Sequence, residues 1–114
     1  MAKIELKDLI AILKSDVLKN NSCIEMNFSI KNDTKYKDCW IGKMPDDNKF
    51  GKEVYWFGLV EDGSQGYEYD TLDDLIKAKV FNGESLSEIF NKIIWNTLDG
   101  CSFEERLSYY MEVL

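Results

Sequence analysis

Ile24, Met26, Phe28 and Ile30 alternate with Glu25, Asn27, Ser29 and Lys31. A period of two gives a strand one dry and one wet face. Upstream, Leu6, Leu9, Ile10, Leu13 and Val17 recur at helical spacing, so residues 4–19 are expected to form a helix ended by Asn20-Asn21-Ser22. Downstream, Asn32-Asp33-Thr34-Lys35 has the composition of a turn. Two further strands are expected over residues 38–44 and 53–60, separated by a polar loop that holds the only proline, Pro45. The second of them, Val54-Tyr55-Trp56-Phe57-Gly58-Leu59-Val60, is apolar on both sides. Such a strand is either covered twice or shows aromatic rings on an open face. Glu61 to Gly66 has the composition of a hairpin connection, and Tyr67-Glu68-Tyr69 of a short fourth strand.

Helical signals fill the rest. Thr71 followed by Asp74 suggests an N-cap, with Leu72, Leu75, Ile76 and Val80 as the buried stripe and Asn82-Gly83 as the stop. Ser85-Leu86-Ser87-Glu88 is a capping box. It opens a helix expected to carry Ile89, Phe90, Ile93, Ile94 and Leu98 on one side and to end at Gly100. Ser102-Phe103-Glu104-Glu105 is a second box, followed by Phe103, Leu107, Tyr110, Met111 and Leu114 at helical spacing. The order α-β-β-β-β-α-α-α predicts a single α+β domain over residues 1–114. It is expected to be a four-stranded antiparallel β-meander with one N-terminal and three C-terminal helices packed mainly on one face. Trp-x-Gly occurs twice, at Trp40–Gly42 and Trp56–Gly58, and is expected to be an aromatic covering a strand glycine.

Composition adds a class. With 114 residues, 45% of them hydrophobic and 13% aromatic, the chain supports a real core, and one Pro with seven Gly argues against disorder. Cysteines at 23, 39 and 101 lack C-x-x-C spacing and fit neither a disulfide framework nor a zinc site. Acids at Glu5 and Asp8 argue against a secretory leader, and the uncharged runs are too short for a bilayer, so a cytoplasmic protein is expected. Thirteen Lys to one Arg, with ten Ile and eight Asn, suggests an AT-rich bacterial or phage genome.

Charge is divided unevenly. Residues 1–60 hold 10 Lys against 9 acids, whereas residues 61–114 hold 4 bases against 12 acids, and the whole is −7. An acidic half repels nucleic acid and anionic membrane and attracts basic partners. Eight of its acids (Asp70, Asp73, Asp74, Glu84, Glu88, Asp99, Glu104 and Glu105) lie at expected helix starts. There each contributes roughly 0.3–1 kcal/mol against the macrodipole. That folding role explains most of the excess. Mimicry of a nucleic-acid backbone, which needs a dense line of carboxylates, is an alternative.

Catalytic and cofactor signals are weak. Glu61, Asp62, Glu68, Asp70, Asp73 and Asp74 fall in one stretch without a base, but the EF-hand register fails because Tyr67 stands where glycine is needed. Neither a metal nor a cofactor is expected. Cys101 precedes the Ser102 cap, yet the chain has no histidine to serve as its base. A carboxylate pair using Glu61 or Glu68 lacks a neighbour that would raise one pKa selectively. Lys31, Lys35, Lys37, Lys43, Lys49 and Lys52, interleaved with Tyr36, Trp40 and Phe50, make a thin single-strand platform or a surface for a second copy.

The expected function is a non-enzymatic protein–protein interaction module, such as a small acidic regulator, inhibitor or immunity-type protein, with a homodimer as a further option. The expected contacts are Tyr55, Phe57, Tyr67 and Tyr69 for apolar binding, with Glu61, Asp62, Glu68 and Asp70 steering a basic partner. A small carboxylate-based enzyme or ligand-binding protein is the alternative from another class.

Overall fold

A computed structural model describes residues 4–14, 23–45, 52–59 and 65–113. Helix α1 (Leu6–Lys14) is followed by strands β1 (Ile24–Ile30), β2 (Cys39–Pro45), β3 (Glu53–Gly58) and β4 (Gly66–Tyr69). Next come helices α2 (Leu72–Lys77) and α3 (Leu86–Ile89), strands β5 (Ile93–Leu98) and β6 (Cys101–Ser102), and helix α4 (Phe103–Val113). All strand pairs are antiparallel, in the order β4-β3-β2-β1-β5-β6. The fold is α+β, with a six-stranded sheet in place of the expected four and the order α-β-β-β-β-α-α-β-β-α. Among the described residues no helix is long and apolar enough to cross a membrane.

The correction lies in residues 85–102. The Ser85 capping box forms as its sequence dictates, with Ser85 Oγ accepting from Glu88 N and the Glu88 carboxylate accepting from Ser85 N at 3.0 Å. The helix then ends after one turn, and a 3-10 turn at Phe90–Lys92 leads into β5. Ile93-Ile94-Trp95-Asn96-Thr97-Leu98 is rich in β-branched and aromatic side chains, which fit a pleated surface better than a helix. Asp99 and Gly100 both have positive φ, 53° and 80°, as a type I′ hairpin turn requires. Gly100 therefore turns a hairpin instead of ending a helix. Asn82-Gly83 plays the same part between Phe81 and Glu84, with φ of 53° and 84°, and α2 stops short of it at Lys77.

The alternation along β1 holds to the residue. Ile24, Met26, Phe28 and Ile30 are buried; between them Glu25 is exposed and Asn27 and Ser29 are intermediate. Register carries that polarity across the sheet. Ile41 and Cys39 stand beside Met26 and Phe28, Phe57 beside Ile41, and Tyr67 beside Phe57, while Trp95 pairs with Phe28 and Leu98 with Met26 on the other side. This face packs against all four helices in one core that includes Leu9, Ile12 and Leu13 of α1, Leu75 of α2, Leu86 of α3, and Phe103 and Tyr110 of α4. Phe81 sits at its centre, with ring centroids 5.3 Å from Phe57, 5.9 Å from Tyr36 and 6.2 Å from Phe28.

Asp99 locks the last hairpin and the last helix together. Its Oδ1 accepts from Glu25 N at 3.1 Å and its backbone N donates to Glu25 O at 2.8 Å. Its Oδ2 accepts from the Tyr110 hydroxyl at 2.7 Å and from Arg106 Nε at 3.3 Å. Burial and the adjacent carboxylate push the Tyr110 pKa well above the usual phenol range.

Cys39 is fully buried on β2, and its thiol donates to the Leu59 carbonyl at 3.1 Å. Burial, reinforced by Asp38 and Asp33, raises its pKa from 9.0 to about 12. Between those values the unfolded chain binds fewer protons than the folded one, so stability falls as pH rises through that window. Urea midpoints should show Cys39→Ala losing roughly 2 kcal/mol less than wild type between about pH 8.5 and pH 11. An equal loss would mean that Cys39 ionises as freely folded as unfolded.

Candidate functional site

The face opposite the helices defines the site. Alternate positions place Glu25, Asn27 and Ser29 of β1, Trp40, Gly42 and Met44 of β2, and Val54, Trp56 and Gly58 of β3 on it. Glu68 of β4 stands opposite Trp56, and Ile94 and Thr97 of β5 stand opposite Ser29 and Asn27. Trp40, Met44 and Trp56 are intermediate in exposure, whereas Glu25 and Glu68 are exposed. None of these residues belongs to the helix-packed core.

Glycines stand beside both tryptophans, but only Trp56 lays its ring on one. A Cβ on Gly42 would collide with the Ile24 carbonyl and would lie 2.8 Å from Trp56 Cζ2, so the ring rests directly on bare backbone. Gly58 lies under Trp40 with more room, since a Cβ there would stand 3.8 Å from the nearest Trp40 atom. The doubled Trp-x-Gly pattern is thus not reciprocal: the Trp56 indole covers Gly42, whereas the Trp40 atom nearest Gly58 is its Cβ. The result is an aromatic patch across β2 and β3.

Beside it lies a polar lattice. Asn27 Nδ2 donates to Asp38 Oδ1 at 2.6 Å, and Asn96 Nδ2 donates to Asn27 Oδ1 and Ser29 Oγ, both at 3.0 Å. Ser29 Oγ donates in turn to the Lys37 carbonyl at 2.8 Å. Asn96 lies on this face by alternation with Ile94, and the slip in β1–β5 register at Asn27/Phe28, a β-bulge, brings Thr97 there beside it and returns Leu98 to the core. Strand positions of this face carry Glu25 and Glu68; just outside the strands the same alternation adds the acids Asp38 and Asp70 and the bases Lys31 and Lys52.

The residues expected to make contact lie elsewhere. Tyr55, Phe57, Tyr67 and Tyr69 fall on the helix-covered side. Phe57 is 1% exposed and packs edge-on against Phe81 and Tyr69, so it has almost no surface to offer. The three tyrosines are partly buried against the same core, and burial raises the pKa of Tyr55 and Tyr69. Glu68 is the one predicted residue on the open face; Asp70 is exposed just beyond β4, and Glu61 and Asp62 lie outside the described residues. Trp40 and Trp56 took their place. The missed signal is Glu68 between two tyrosines, which marks the wet side of β4 and hence of Trp56 opposite it.

Other chemistry is sparse. Among the described residues no group of three or more His, Cys, Asp or Glu side chains is placed to hold a metal ion. Glu88 has a lowered pKa because Ser85 N–H and Lys79 hold its charged form, so its carboxylate serves as a cap. Cys23 and Cys101 are exposed free thiols. No protein-family model, curated protein or solved structure matches the chain.

The glycine contacts predict an asymmetry. Gly42→Ala should cost about 2 kcal/mol in urea unfolding, as overpacking against fixed neighbours does, whereas Gly58→Ala should cost under about 1 kcal/mol. Equal costs would show that the Trp56 ring does not rest on Gly42.

Proposed function

We propose that this protein is a non-enzymatic interaction module that binds a basic protein through the open face of its sheet. The reading rests on one observation: the face left by the helices combines Trp40, Met44 and the glycine-seated Trp56, and the two charges borne within its strands, Glu25 and Glu68, are both acidic. Aromatic side chains supply most interface energy when a partner desolvates them, and charges around them set orientation and association rate. Two carboxylates on separate strands, with Asp38 and Asp70 just outside them, are too few for the dense line that a nucleic-acid mimic presents. The polar lattice around Asn27 supports the same reading, since its amides are already oriented and lose little freedom on binding.

The test places a photo-crosslinking residue in turn at Glu25, Glu68, Lys77 and Glu104, in cells that produce the protein. Positions 25 and 68 should capture one basic protein, and positions 77 and 104 should not. Capture should fall steeply toward about 0.5 M salt, where the Debye length is only a few ångströms. The double variant E25K/E68K should keep the wild-type melting temperature and lose at least about tenfold in capture. Equal capture from the helix side, or indifference to charge reversal, would overturn the reading.

A further inference from the structure

A cleft of about 700 Å³ opens where the start of α1, the 3-10 turn and the start of β5 meet. Its apolar wall is formed by Ile4, Leu6, Phe90, Ile93, Ile94 and Trp95. All but Trp95 are only partly buried, so apolar surface is left wet in one concave place. Clefts of this size with an apolar lining and a few polar groups are the usual form of small-molecule sites.

The charged groups of the cleft divide cleanly. Glu5 pairs with Lys7 at 3.4 Å, and Glu88 is held by Ser85 N and Lys79 Nζ at 3.0 and 3.1 Å. Lys31 and Lys92 have no ion-pair partner among the described residues, in a chain that carries 21 acids to 14 bases. Lys31 N donates to the Lys92 carbonyl at 2.8 Å, which sets the two backbones side by side, and both residues are exposed at the rim. The same two lysines also line a second depression of about 210 Å³. The acids there are Glu84 and Asp33, and Asp33 Oδ1 already accepts from Lys35 N and Tyr36 N.

We infer that this cleft is a binding site for an apolar organic anion, an aryl or medium-chain alkyl acid whose body lies against Phe90 and Ile93 and whose headgroup meets Lys31 and Lys92. Two lysines on neighbouring backbones, without acidic partners among the described residues, can both turn toward one anion, whose body covers the wet apolar wall. A neutral ligand gains only that cover. The site shares Ile94 with the open sheet face but neither of its indoles, and the inference stands or falls independently of the proposed partner.

The test titrates the full-length protein with 8-anilinonaphthalene-1-sulfonate and with the neutral N-phenyl-1-naphthylamine, following energy transfer from tryptophan and amide chemical shifts. The anion should bind saturably with one-to-one stoichiometry below about 1 mM. Shifts should cluster at Lys31 and residues 90–95, and the neutral compound should bind at least about tenfold more weakly. K31Q/K92Q should weaken the anion about tenfold and leave the neutral compound unchanged, while K52Q/K77Q should change neither. Should the double variant fail to fold, K92Q alone should weaken the anion about threefold. Equal binding of the two compounds, shifts centred on Trp40 and Trp56, unsaturable binding, or an anion affinity untouched by K31Q/K92Q would each overturn the inference.

Discussion

The structure depends on the alternation along β1. That strand lies inside the sheet, between β2 and β5, and its four buried residues set which side of every neighbour is dry. A shift of one residue in either pairing would turn a whole set of side chains to the wrong face, so the register is strongly specified. Once Met26 stands beside Ile41 and Phe28 beside Trp95, the helices have one apolar floor to cover. The opposite face follows as a consequence, and so does the position of both half-buried indoles.

Much of this was legible in the residues themselves. β1 runs over the residues that its alternation marks, and the Ser85 cap forms with both reciprocal bonds. The Thr71 hydroxyl accepts from Asp74 N as expected, and α4 starts after Ser102 with Ser102 Oγ accepting from Glu105 N. The miss at β5 has a physical cause. A short, nearly continuous apolar run satisfies helical and strand spacing alike, and length and flanking residues must then decide. Asp99-Gly100 was that flank, and its hairpin character outweighs the helical spacing of Ile89, Ile93 and Ile94. The dry side of β3 was not legible from β3, which is apolar both ways; it is settled by its neighbours, where Glu68 and Gly42 both lie on the Trp56 side.

The acidic half acquires a division of labour. Asp73, Asp74, Glu88, Glu104 and Glu105 sit in first helical turns, as the macrodipole favours. Asp99 serves a hairpin turn and joins β1, α4 and the sheet edge through four hydrogen bonds. These acids are explained by folding. Glu25 and Glu68 are exposed on a face that helices do not cover, and the interaction reading draws on them together with the indoles.

The two margins of the sheet are unequal. β6 has two residues before α4 begins, which is too short a ribbon for another chain to extend, whereas β4 offers four residues with a neighbour on one side only. β6 pairs only with Thr97 and Leu98, however, so Ile93 to Asn96 of β5 also have a strand on one side only. Added strands would find backbone groups to pair with at both margins, and strand-to-strand association of this molecule has no built-in limit at pairs.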